Sequence, residues 1–163
     1  PFEVSDGVII PSGDYQFGLW RVQSGGANER VFAPSFRYGQ GAFFDGERVQ
    51  IGGGLAWRPN SRLFFDFGYR YNGITLPGGE FAVRLIAVRS EIAFNVRWSW
   101  LNLIQYDNES ASVGINSRLR WNPRAGQDLY VVVNHGFDAG GAFRRLHSQQ
   151  AQLSVKYTHT FRL

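Results

Sequence analysis

Apolar and polar residues alternate one by one through nine stretches of this chain, and the last stretch runs to the final residue. There Leu153, Val155, Tyr157, Phe161 and Leu163 fall on one face, and Gln152, Ser154, Lys156, Thr158 and Thr160 on the other. Successive strand side chains point to opposite sides, so a period of two gives one apolar and one polar face. Chain ends are commonly frayed and polar. A terminal strand that stays amphipathic to its last aromatic and aliphatic residues points to an antiparallel transmembrane β-barrel, in which the final strand closes the wall.

The other eight stretches carry the same rhythm. They run from about Tyr15 to Val22, Val31 to Phe43, Arg48 to Arg58, Leu63 to Asn72, Phe81 to Phe94, Arg97 to Tyr106, Ala111 to Trp121 and Leu129 to His135. The fourth is the clearest: Leu63, Phe65, Phe67, Tyr69 and Tyr71 oppose Phe64, Asp66, Gly68, Arg70 and Asn72. The first and sixth have apolar residues on both faces, and the pattern leaves their orientation open. No segment has a helical period. Most stretches span about 9 to 13 residues. Globular strands centre on about 5 to 6 residues, whereas tilted membrane strands need roughly 9 to 11.

Composition agrees with an all-β chain. Among 163 residues there are 20 Gly, 16% aromatics and only 6 Pro, a mixture suited to twisted strands and tight turns. With no Cys, disulfides and thiolate metal sites are excluded. No apolar run approaches the roughly 20 residues of a membrane helix. The mean hydropathy of −0.24 fits strands that are half polar. The formal charge is +4, and 16 of the 17 basic residues are Arg. They are scattered along the strands rather than clustered, which argues against a nucleic-acid partner. The chain starts at Pro1 with neither Met nor a signal sequence, so the expectation is a processed start or a piece of a longer protein.

The connections fall into two sets. One set is Ser24–Arg30, Arg58–Arg62, Asn95–Val96 and Asn122–Asp128; the other is Phe44–Glu47, Gly73–Glu80, Asp107–Ser110 and Gly136–His147. The chain terminus lies with the first set, which is therefore expected on the periplasmic side. Gly73–Glu80 and Gly136–His147 fit longer external loops. Trp57 and Trp121 each precede a Pro-containing turn on the periplasmic side. With Phe94, Tyr157 and Phe161 they form an expected aromatic girdle at the headgroup level. Tyr38, Tyr71 and Tyr106 are placed for the opposite girdle.

Strand parity is a further constraint. Nine alternating crossings put the first strand's start outside the cell, whereas single-chain bacterial barrels have an even count and both ends in the periplasm. Two solutions stand. Either an eight-stranded barrel begins at about Arg30, or further strands precede Pro1 and these eight or nine are the C-terminal part of a larger barrel. Residues 1–163 are read as one barrel domain or a fragment of one, with 1–14 as a leading loop.

Six segments resemble a known family. They are Phe2–Tyr15 (FEVSDGVIIPSGDY), Leu55–Pro59 (LAWRP), Leu76–Phe81 (LPGGEF), Asn102–Asp107 (NLIQYD), Asn116–Pro123 (NSRLRWNP) and Asp128–His135 (DLYVVVNH). The chain resembles, over nearly its whole length, the final part of large bacterial outer-membrane-type proteins of unknown function. In that family an N-terminal carbohydrate-binding-like β-sandwich precedes a C-terminal barrel. The resemblance implies an architecture and supplies no catalytic residues, and the sandwich is absent here. It favours the fragment solution of the strand count.

Alternation places Arg37, Asp66, Arg70, Arg89, Glu91, Arg118, Arg120 and Lys156 on the face expected to line the lumen. Such a face either packs as an Arg–carboxylate and Arg–amide network or favours anions. His135, His147 and His159 lack zinc-site spacing, and a rim Ser–His hydrolase using Ser148 or Ser110, which would need a converging orienting group, ranks last among the readings. The loop acids Asp45, Glu47, Glu80, Asp107, Glu109 and Asp138 lack a calcium-loop spacing. The chain is therefore expected to be no enzyme and to hold no metal or cofactor. Its expected place is the bacterial outer membrane, with the lipid bilayer and other envelope proteins as partners. Its expected role is a passive pore or transport barrel, or an anchor for a missing N-terminal domain; the alternative is a scaffold or binding subunit of an envelope assembly.

Overall fold

The computed structural model describes residues 1–5, 7–27, 29–140 and 146–160. Eleven antiparallel strands make up its regular structure: β1 (Phe2–Ser5), β2 (Val8–Ile10), β3 (Leu19–Gly25), β4 (Phe32–Phe43), β5 (Gly46–Asn60), β6 (Leu63–Leu76), β7 (Gly79–Ala93), β8 (Trp98–Asp107), β9 (Ser112–Arg124), β10 (Gln127–Asp138) and β11 (His147–His159). β1 and β2 form a small hairpin, and β3 to β11 form one nine-stranded meander in chain order. Each alternating stretch of the sequence corresponds to one strand of that meander.

The sheet is not closed: no pairing joins β3 to β11 among the described residues. The solution of a complete eight-stranded barrel starting near Arg30 is overturned by β3, which pairs with β4 along its whole length from Leu19↔Gly41 to Gly25↔Ser35. Gly41 makes that pairing possible, since a Cβ there would lie 1.7 Å from the Gly18 carbonyl oxygen. The first stretch, from Leu19 on, is therefore a paired strand of the sheet.

Several connections are tighter than the sequence pattern indicates. Gly73–Glu80 is no external loop: β6 and β7 continue to Leu76 and Gly79, leaving Pro77 and Gly78 as the turn. Likewise β9 and β10 extend to Arg124 and Gln127, where Gly126 supplies a φ of +81° that a side chain would oppose. Trp57 and Trp121 do not end their strands. β5 and β9 run on to Asn60 and Arg124, and the ladder register shifts beyond each Trp, at Pro59 and Pro123, which have no N–H to donate. β10 reaches Asp138, so Gly136–His147 is partly strand, and residues 141–145 lie outside the described part. Phe161 and Leu163 also lie outside it; the described part of the last strand ends at His159.

Strand ends drift steadily across the sheet. The row of directly opposed residues that starts at Phe32, the first residue of β4, passes Trp57, Phe65, Ser90, Asn102, Ser117 and Val133 to reach Leu153. Leu153 stands well inside β11, which ends at His159. A drift of about six residues over seven strand steps, at ~3.4 Å per residue and ~4.8 Å per strand, tilts the strands by roughly 30° from the perpendicular to the line of turns. Barrel strands are tilted by roughly 35–45°.

The leading segment is not simply a loop. Val8 and Ile10 of β2 are buried with Ile74 and Leu76 at the β6–β7 tip, and Phe43, Phe44 and Phe81 pack around them. Ile10 is fully buried, while Ile9, on the other side of the hairpin, is 61% exposed. Phe44 holds an unfavourable φ of +54° in the β4–β5 turn, where edge-to-face contacts with Phe2, Tyr15 and Phe17 surround its ring. The Tyr15 hydroxyl donates to the Pro11 carbonyl at 2.6 Å. Its pKa is pushed up, first by desolvation and then by Asp45. Ile10→Ala should cost this docking about 2–5 kcal/mol through the cavity it leaves, whereas Ile9→Ala should cost less than ~0.5 kcal/mol. Limited proteolysis reads the difference: Ile10→Ala should be cut within residues 1–18 much sooner than wild type or Ile9→Ala. Equal rates would show that the hairpin does not dock.

Candidate functional site

A nine-stranded ladder has two faces, and among the described residues no second layer covers most of either. The accessible area is 11485 Å², whereas a compact monomer of 18.4 kDa would expose about 8,200 Å². The excess belongs to one sheet that lacks an ordinary core.

Directly opposed residues share a face, so the register assigns every strand residue to a side. One side is apolar. It carries Phe32, Phe36, Ile51, Leu55, Phe67, Ile86, Ile104, Val133, Leu153 and Val155, all exposed. All five tryptophans lie on it: Trp20 opposite Gln40, Trp57 between Phe32 and Phe65, Trp98 opposite Trp121, and Trp100 between Ile92 and Leu119. Trp98 and Trp121 stack at 5.5 Å, and Trp57 stacks on Phe65 at 5.3 Å. Tyr157 opposes Leu129 on this face, and exposed Phe94 follows the end of β7. Soluble monomers rarely expose contiguous apolar patches beyond a few hundred Å²; this face extends over the whole meander.

A polar island interrupts it. The Trp100 indole N–H donates to Ser117 Oγ at 2.8 Å, the Ser117 hydroxyl donates to Asn102 Oδ1 at 2.8 Å, and Asn102 Nδ2 donates to Ser90 Oγ at 3.3 Å. Each polar group is thus partnered by another, as an apolar surrounding demands. The two-residue pattern did not single out Asn102, because Leu101 and Leu103 beside it read equally well as the apolar face.

The other side is polar. Arg37, Asp66, Arg70, Arg89, Glu91, Arg118, Arg120 and Lys156 all fall on it: Arg37 and Arg70 flank Gly52, Asp66 opposes Arg89, Glu91 and Arg118 flank Leu101, and Arg120 and Lys156 flank Tyr130. The hollows of the molecule also lie against this side, floored by Gly52, Gly54 and Gly68 at one end and by Gly114 and Gly136 at the other. Its polar contacts are only partly a network. Arg89 pairs with Glu91, and Arg120 Nε donates to Asp128 Oδ1 at 2.7 Å. Asn122 donates to the same carboxylate at 3.1 Å and to the Gln127 carbonyl at 2.9 Å, holding the β9–β10 turn. Asn116 donates to Asn134. Arg37, Arg70, Arg118 and Lys156 form no ion pair among the described residues.

His135 and Ser148 meet on the apolar side at the β10–β11 bulge. Their Nε2 and Oγ are 2.8 Å apart, and the ring stacks on Phe137. No carboxylate hydrogen-bonds to His135 among the described residues. Nor does any group of three metal-ligating side chains occur among them. No protein-family model, curated protein or solved structure matches the chain.

Val155 lies on the apolar face opposite Val131, and Thr158 on the polar face opposite Asp128. If lipid covers the apolar face, Val155→Arg should cost about 2–4 kcal/mol of folding in bilayers, and Thr158→Arg much less. The folded fraction after refolding into lipid, read by the heat-modified gel shift, should fall for the first variant only. Equal fractions, or greater harm from Thr158→Arg, would reverse the assignment of the two faces.

Proposed function

We propose that these strands are wall of a bacterial outer-membrane β-barrel, and that the polar face lines its lumen. One observation carries the reading: an uncapped antiparallel sheet with every tryptophan and an extended, mostly apolar surface on one side. Lipid buries such a surface at no cost in protein layers, and roughly 25 cal/mol is gained per Å² removed from water. The strand lengths of the meander and its tilt support the same reading, as does the resemblance to the C-terminal barrels of outer-membrane-type proteins. In that setting the chain serves as a passive pore, or as the membrane anchor of a domain that precedes it.

Parity specifies how such a wall closes. In a meander from β3 to β11 the first and last strands run the same way, so joining them directly makes a parallel seam. Antiparallel closure takes an odd number of further strands, which brings the total to an even number as in single-chain bacterial barrels. The two open edges also support the alternative role, a subunit that adds its strands to an envelope assembly; such edges otherwise template aggregation.

Tryptophan quenching tests the membrane reading directly. Refolded into vesicles containing brominated lipids, the protein should lose most of its tryptophan emission, because all five rings face lipid. A folded protein whose emission is untouched would overturn the proposal. Planar-bilayer recording then separates the roles: conductance of the intact protein supports the pore, and quenching without conductance supports the anchor.

A further inference from the structure

We propose that Arg21, Arg37 and Arg70 form an oxyanion-binding station on the polar face, taking a ligand that presents phosphate or carboxylate oxygens. The station rests on the register and not on closure of the wall; only its place in a lumen depends on the barrel reading. Arg37 and Arg70 stand on either side of Gly52 in one row. Their Cα atoms are therefore roughly 10 Å apart across a residue with no side chain. Arg21 opposes Gly39, one strand over and two residues along from Arg37. All three line one hollow of about 400 Å³, together with Gln50, Asn72 and Asp107.

Three features make this an anion site rather than a packed arginine cluster. None of the three guanidinium groups is in an ion pair among the described residues. Arg21, Arg37 and Arg70 outnumber the one carboxylate that lines the hollow, Asp107, whose Oδ1 already accepts the Glu109 N–H at 2.8 Å. The floor between the arginines is Gly52, and beside it a Cβ at Gly54 would lie 2.8 Å from Ser35 Oγ. A ligand can thus approach the backbone while planar donors reach it from both sides, the geometry in which Arg binds oxyanions bidentately. Asn72 Oδ1 is buried at the edge of the hollow with no hydrogen-bond partner.

The test uses the full chain refolded in detergent micelles, with folding confirmed by circular dichroism, and titrates it separately with pyrophosphate and with citrate at low salt by calorimetry. Saturable binding of pyrophosphate alone assigns phosphate ligands, and of citrate alone carboxylates; either supports the station. Arg37→Gln/Arg70→Gln should weaken the binding at least tenfold. Arg97→Gln/Arg124→Gln, which removes the same charge from the opposite turns, should change it less than twofold. The wild-type protein gives a second readout that needs no variant: the bound anion should slow phenylglyoxal modification of Arg37 and Arg70, located by mass spectrometry, and leave Arg97 and Arg124 unprotected. No saturable binding of either anion by folded protein, equal losses in the two double variants, or no selective protection would overturn the station. Lipid quenching of the tryptophans is read independently, so failure here is distinct from failure of the barrel reading.

Discussion

The whole structure follows from one constraint: a single antiparallel layer satisfies its backbone internally but cannot bury its own side chains. Each interior strand pairs on both edges, and where β7 runs on past the end of β8 the Asn108 side chain accepts the Arg84 N–H and donates to the Ala82 carbonyl. The side chains have no such closure. Alternation sends half of them to a face that nothing in the described structure covers, and on that face lie the tryptophans and most of the large aliphatics. A soluble protein meets this demand with a second sheet or a helix layer. Among the described residues the one substantial buried cluster is local, at the β1–β2 hairpin on the tip of β6 and β7. A covering layer must come from outside the described strands, and the proposed function assigns it to a bilayer.

The polar side obeys the complementary rule. Its glycines keep the inner surface open where large residues would crowd a curved sheet, and its charges divide into two kinds. Arg120 with Asp128 and Asn122 secures a turn, and Arg89 with Glu91 satisfies a local pair. Arg21, Arg37 and Arg70 are left facing a common hollow. On the apolar side, Ser90, Asn102 and Ser117 satisfy one another beneath the Trp100 indole.

Much of this was legible in the chain because strand alternation is a local property. Leu63 to Asn72 announces both its strand and its faces, and β6 keeps them. The eight charged residues read as one face share one face in the register. Other features were hidden for identifiable reasons. Phe2–Ser5 and Val8–Ile10 are too short to show a period, and they become strands because Val8 and Ile10 find Ile74 and Leu76. Gly73–Glu80 and Asn122–Asp128 carry Gly and Pro, the usual marks of a loop, yet cross-strand partners hold their flanks in the ladder almost to the turn. The hydrogen bond between His135 and Ser148 depends on the bulge in β11, and no sequence spacing reports a bulge.

The chain by itself therefore determined the secondary structure and, for most strands, which residues travel together, because a period of two needs only neighbouring side chains to differ in their affinity for water. It did not determine the orientation of β3 and β8, where both sides are apolar enough to read either way. Only pairing decided those, by setting Val22 against Tyr38 and Ile104 between Val88 and Ile115. Nor did it reveal that the sheet stays open, that a hairpin packs on one tip, or that Arg21, Arg37 and Arg70 meet around Gly52. Those are properties of register across strands far apart in sequence, and register is set by cross-strand packing and turn length together, which exist only once the sheet has formed.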